Sequence, residues 1–177
     1  MANNLDLSPD GQLAYSLTAL RGLDFTGPAE NGRHIVPGIF FSLDPQSANR
    51  VDIASHPGEL MTMRLGVDRP GRWLTLNMGV GGADFSACKI IGFAARTDAP
   101  VTTTCKVCIR SGVEGGHRDV FFPKALVCYP KTALHLDVME LEANPDIPPR
   151  APWRELVIFF EIASVEINFR DFRLIVI

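Results

Sequence analysis

From residue 34 onward the chain is a succession of short apolar runs, broken by turn residues every 8 to 14 positions. That spacing admits little other than an antiparallel sandwich or barrel. Glu59 to Val67 is the cleanest run, with Met61, Met63, Leu65 and Val67 on one face and Thr62 and Arg64 on the other, the period-two pattern of a half-buried strand. Arg69-Pro70-Gly71 supplies a turn, proline presetting φ and glycine tolerating the tight position. In the next run, Arg72 to Val80, Leu74, Leu76, Met78 and Val80 alternate with Trp73, Thr75 and Asn77. The two runs read as hairpin partners that share a polar face.

The remaining runs fit the same scheme. Lys89 to Arg96 is apolar on both faces, which suits a central strand covered on both sides. Thr102 to Arg110 sets Cys105, Val107 and Ile109 against Lys106, Cys108 and Arg110, and Ser111 to Gly116 reads as a glycine-rich turn. Val120 to Cys128 and Ala133 to Leu141 are two further runs. Four prolines within residues 143–153 exclude helix and central strand there and leave an ordered surface loop. Near the C-terminus Val165, Ile167 and Phe169 alternate with polar neighbours, and after Asp171 the apolar phase slips to Phe172, Leu174 and Val176. Such a slip inside a continuous strand predicts a β-bulge near Arg170-Asp171. Leu13, Leu17 and Leu20 lie at helical spacing within residues 11–23. The expectation is an all-β, two-sheet sandwich over residues 34–177, with residues 1–33 packing on it and at most one or two short helices.

A chain of 177 residues is one domain in size, and burying roughly 70% of its unfolded surface needs no disulfide or metal. With 17 basic against 20 acidic side chains and a net charge of −3, no nucleic-acid footprint is present. No stretch approaches the roughly 18 apolar residues of a membrane span. The first residues carry neither the basic nor the apolar region of a signal peptide. The cytoplasm is therefore the default expectation, with Cys88, Cys105, Cys108 and Cys128 reduced.

Motifs for catalysis do not hold up. His117-Arg118-Asp119 has the form of a kinase catalytic loop, but Lys124 stands where its asparagine belongs. Gly79-Val80-Gly81-Gly82-Ala83-Asp84 comes near a dinucleotide fingerprint, but Asp84 replaces the third glycine and no helical pattern follows. Cys105 and Cys108 lie at i and i+3 of a strand and so project to opposite faces, as structural thiols rather than zinc ligands. Glu155, Glu161, Glu166 and Asp171 fit a solvated strand face better than a catalytic pair.

The order Trp73-Leu74-Thr75-Leu76, Asp84-Phe85-Ser86, Ile90-Ile91-Gly92-Phe93-Ala94-Ala95-Arg96 and the closing run Ser164 to Leu174 resembles the jelly-roll β-sandwich of carbohydrate-binding modules and galactose-binding-like domains. The resemblance implies a sugar stacked on an aromatic ring and held by hydrogen bonds to its hydroxyls. The residues it points to are Trp73 with Arg64, Thr75 and Asn77 on one face, and Trp153 and Tyr129 in loops. With only two tryptophans and two tyrosines, the chain is poorer in such rings than the family. The family's structural calcium, held between first and last strands, would fall at Asp171. The function expected is a non-catalytic carbohydrate-binding module. Its rival is a structural or interaction subunit of a larger assembly, with a homo-oligomeric or other protein partner covering Ile175 and Ile177.

Overall fold

A computed structural model describes residues 8–177. In chain order the elements are α1 (Gly11–Arg21), β1 (Phe25–Pro28), β2 (His34–Val36), β3 (Ile39–Leu43), β4 (Asn49–Ser55), β5 (Met61–Val67), β6 (Leu74–Gly81), β7 (Ile90–Asp98), β8 (Thr103–Val113), β9 (Gly116–Phe121), β10 (Leu126–Cys128), β11 (Ala133–Glu140), β12 (Arg154–Phe160) and β13 (Val165–Val176). They form two antiparallel sheets, one ordered β1-β4-β5-β13-β7-β11 and the other β10-β8-β12-β6-β3-β2, with β9 also paired to β8. This is the expected jelly-roll sandwich, with one short helix among the described residues.

The core lies between the sheets, where each strand places alternate side chains. Met61, Met63 and Leu65 from β5 and Leu74, Leu76 and Met78 from β6 are all buried there. At one end Phe93 stacks on Phe172 at 5.7 Å and meets Phe122 edge-on at 4.9 Å. Each ring buried this way stabilises the fold by about 1.5–3 kcal/mol. Helix α1 covers a flank of the sandwich, seating Leu17 and Leu20 among Ile39, Leu60, Met78, Phe169 and Phe172. The β-bulge falls where the phase slip placed it, between Phe169 and Asp171. One extra residue there lets Phe169 and Phe172 both point inward.

Four expectations need correction. The runs 59–67 and 72–80 are not hairpin partners: β5 pairs with β4 and β13, β6 with β3 and β12. Their link crosses from one sheet to the other, so two strands that face the same core turn their polar sides in opposite directions. The sheets also begin before residue 34, because β1 pairs with β4. Strand β8 runs on to Val113 and joins β9 through a tight turn at Glu114-Gly115, not a longer glycine-rich loop. Finally, β7 is covered on one side only, and Ile90 and Ala94 on its outer face are half-buried.

Candidate functional site

The outer face of the second sheet carries a concavity of about 470 Å3 lined by Ser42, Arg72, Trp73, Thr75, Arg110, His117, Asp119 and Phe159. It crosses the strands from β3 and β6, over β12 and β8, to β9. Trp73 stands at one side, immediately before β6. Its indole N–H donates to Ser42 Oγ at 3.2 Å, and the Arg72 guanidinium lies 4.8 Å from its ring centroid. Arg72 is fixed from below by the buried Asp44, whose Oδ2 accepts its backbone N–H at 2.8 Å and its Nε–H at 2.9 Å. The Arg72 guanidinium, with the backbone N–H groups of Gln46 and Arg72, holds the Asp44 carboxyl at about 2, well below its ordinary range.

The other side is built by the β8–β9 hairpin. Its tight turn sets Arg110 opposite Asp119, and the two form a paired fork, Nε to Oδ1 and Nη2 to Oδ2, both at 2.7 Å. Across β12 the register continues with Glu155 beside Arg110, so three adjacent strands carry carboxylate, guanidinium and carboxylate at one level. Phe159 forms the floor, 5.5 Å from Phe121 and 5.9 Å beneath the Arg110 guanidinium. Farther along, the indole of Trp153 lies flat on Gly112, where an added Cβ would stand 2.5 Å from Nε1. His117 tilts against it at 6.4 Å. Rings flanked by paired hydrogen-bonding groups suit a ligand with both an apolar face and hydroxyls.

Of the residues singled out in the sequence, Trp73, Thr75 and Asn77 come together on this face. Trp73 is half-buried in the concavity. Thr75 and Asn77 are each only 2% exposed. Thr75 Oγ1 donates to Asn77 Oδ1 at 2.7 Å, and Asn77 Nδ2 donates to Glu155 Oε2 at 2.8 Å. The pair therefore orients Glu155 from beneath. Arg64 is on the other sheet, facing the opposite side of the molecule, where its Nε donates to Glu166 Oε2 at 2.6 Å. Trp153 is partly exposed beside the concavity, and Tyr129 is exposed outside its lining.

No protein-family model matches the chain, and no curated protein matches it in sequence. Among solved structures it is similar to a CBM4 carbohydrate-binding module, with TM-score 0.64 and 13% identity over 92% of this chain and 100% of that one. It is also similar to the xylan-binding CBM22-1 domain of Xyn10C from Paenibacillus barcinonensis, with TM-score 0.52 and 9% identity over 86% and 92% of the two chains. A third is a family 11 module from Clostridium thermocellum in complex with a beta-1,3-1,4-mixed-linked tetrasaccharide, with TM-score 0.53 and 9% identity over 86% and 96%. The fold is that of the carbohydrate-binding modules.

On this module fold the calcium expected at Asp171 does not suit the residues present. The Asp171 carboxylate pairs with Arg21, and Arg96 stands opposite it on β7. No group of three or more metal-ligating side chains converges anywhere among the described residues. The two cysteines at 105 and 108 do face opposite ways, Cys105 into the core and Cys108 beneath the outer face, where burial pushes its thiol up to about 12. Sequence reasoning missed Arg110 and Phe159, and set Glu155 aside as part of a solvated strand face. One available signal was the Glu114-Gly115 turn, since a two-residue turn there sets 110 against 119. His117 and Asp119 were seen only as a failed kinase motif.

Proposed function

We propose that this chain is a non-catalytic carbohydrate-binding module, and that the outer face of the second sheet is where it binds. The observation that carries the reading is the concavity itself, which combines Trp73 and Phe159 with the Arg110–Asp119 fork. In this reading a pyranose ring stacks on the face of Trp73 that Arg72 leaves open, burying its C–H groups. Its hydroxyls are read by Arg110, which only donates, and by Asp119 and Glu155, which only accept. Each cation lining the site already has a carboxylate partner, so a neutral glycan fits better than an acidic one. The fold neighbours, a xylan-binding domain and a module in complex with a beta-1,3-1,4-mixed-linked tetrasaccharide, support β-linked polysaccharides as first ligands to try.

The test is affinity electrophoresis and calorimetry against xylan, mixed-linked β-glucan and a glycan array. Trp73→Ala should abolish binding while far-UV circular dichroism stays unchanged. Binding that survives Trp73→Ala would move the site elsewhere. A chain silent on every glycan would favour the interaction-module reading.

A further inference from the structure

The outer face of the first sheet is divided. Its β4–β5 half is polar and ion-paired, but where β11, β7 and β13 run side by side an apolar cluster lies between charged residues at either end. Leu134, Leu136, Val138 and Ile177 are 73%, 52%, 46% and 68% exposed, with Ile90 and Ile175 half-buried between them. Among the described residues no element covers them. A contiguous exposed apolar patch rimmed by charged residues is the kind of surface that serves as an interaction site on a soluble domain. Within it Val138 lies over Gly92, where an added Cβ would stand 2.6 Å from Val138 Cγ1.

The registers place this surface in four levels. Leu134 is level with Arg96 and Asp171, and Leu136 with Ala94 and Arg173. Val138 is level with Gly92 and Ile175, and Glu140 with Ile90. One end is therefore cationic through Arg96 and Arg173, the Asp171 charge being met by Arg21. The other end carries Glu140, with Lys89 near it. The free edge of β11 is guarded, because Lys124 donates its backbone N–H to Asp137 at 2.8 Å and its Nζ to the Leu136 carbonyl at 3.4 Å. That blocks strand addition and leaves the face.

We propose that this face binds a second copy of the same chain, sheet on sheet, about a two-fold axis lying in the interface perpendicular to the strands. That axis lays β11 over β11 in reverse and brings Arg96 of one copy beside the Glu140 end of the other. A two-fold parallel to the strands would instead stack like charges. The Arg96 and Glu140 charges are thus self-complementary in one orientation, as an isologous dimer requires. Two sheet faces pack at about 10 Å with their side chains interdigitated. Such a dimer turns the two second-sheet faces outward, back to back, so that a glycan-binding chain would be bivalent and gain avidity on a polymer. The dimer itself does not depend on glycan binding.

Sedimentation velocity on the full chain, from low to high micromolar concentration, tests it. The expected result is a monomer–dimer equilibrium that Leu136→Lys weakens by roughly tenfold or more, with circular dichroism unchanged. Glu140→Arg should weaken it too, and Arg96→Glu combined with Glu140→Arg should restore it. A monomer at every concentration would overturn the proposal. So would a dimer indifferent to Leu136→Lys, or a charge swap that fails to rescue.

Discussion

Asp119 grips Arg110 with both carboxylate oxygens at 2.7 Å, across neighbouring strands of one hairpin. The carboxylate raises the pKa of the already strongly basic guanidinium and fixes the plane in which its remaining N–H groups are offered. Lysine would keep the charge and lose the fork. Arg110→Lys should therefore cost at least about tenfold in glycan affinity, or about 1.4 kcal/mol, measured by calorimetry. The unfolding midpoint should move little, since the pair is only partly buried.

Gly112 is required by the tryptophan above it. Gly112→Val places atoms where the Trp153 indole lies, with Nε1, Cε2 and Cδ1 at 2.5–2.8 Å from the first added carbon. Displacing the ring should destabilise the domain by about 1–3 kcal/mol, and Trp153 fluorescence should shift red as the ring enters water. Urea titrations followed by fluorescence in a Trp73→Phe background report both.

Arg154 is 1% exposed and has no carboxylate partner among the described residues. It donates to the Ala83 carbonyl at 3.0 Å, to Ser111 Oγ at 2.7 Å and to the Pro148 carbonyl at 2.5 Å, with its guanidinium 4.1 Å over Phe85. It ties the proline-rich loop and the turn after β6 to the second sheet. Arg154→Met leaves those acceptors without donors and should cost about 2–4 kcal/mol, read from the denaturation midpoint. Amide exchange should quicken first in residues 143–153.

Acid should weaken the first sheet. Arg170, chiefly, with Asn168 and Thr132, holds the Asp98 carboxyl at about 2 against 3.8 for an ordinary aspartate. A carboxyl lower in the folded state than in the unfolded one contributes its stabilisation in full above the unfolded value, and that contribution is lost as pH falls from about 4 to about 2. Stability of the wild type should be flat from pH 7 to about 5 and fall below it. Asp98→Asn should be less stable near neutrality and show a shallower acid slope in urea melts at stepped pH.

Strands β5, β6, β7, β8, β11 and β13, the bulge at Arg170, the inward methionines and leucines, the opposed faces of Cys105 and Cys108 and helix α1 were legible in the sequence, because each is set by a local period. Strands β1 to β4 and β12 were not assigned, and the break between β9 and β10 was missed. The same alternation told that Trp73, Thr75, Asn77 and Arg64 point away from the core. It carried no information on which of two sheets each belonged to, because every sandwich has two outward faces and period two is identical on both. Only the tertiary structure decided that Arg64 lies opposite the other three. It alone brought Arg110, Asp119, Glu155 and Phe159 to Trp73, through pairings between strands up to tens of residues apart. It also gathered the outward apolar residues of β7, β11 and β13 onto one open face. Local patterning chooses which side of a strand avoids water, and the register between distant strands chooses its neighbours.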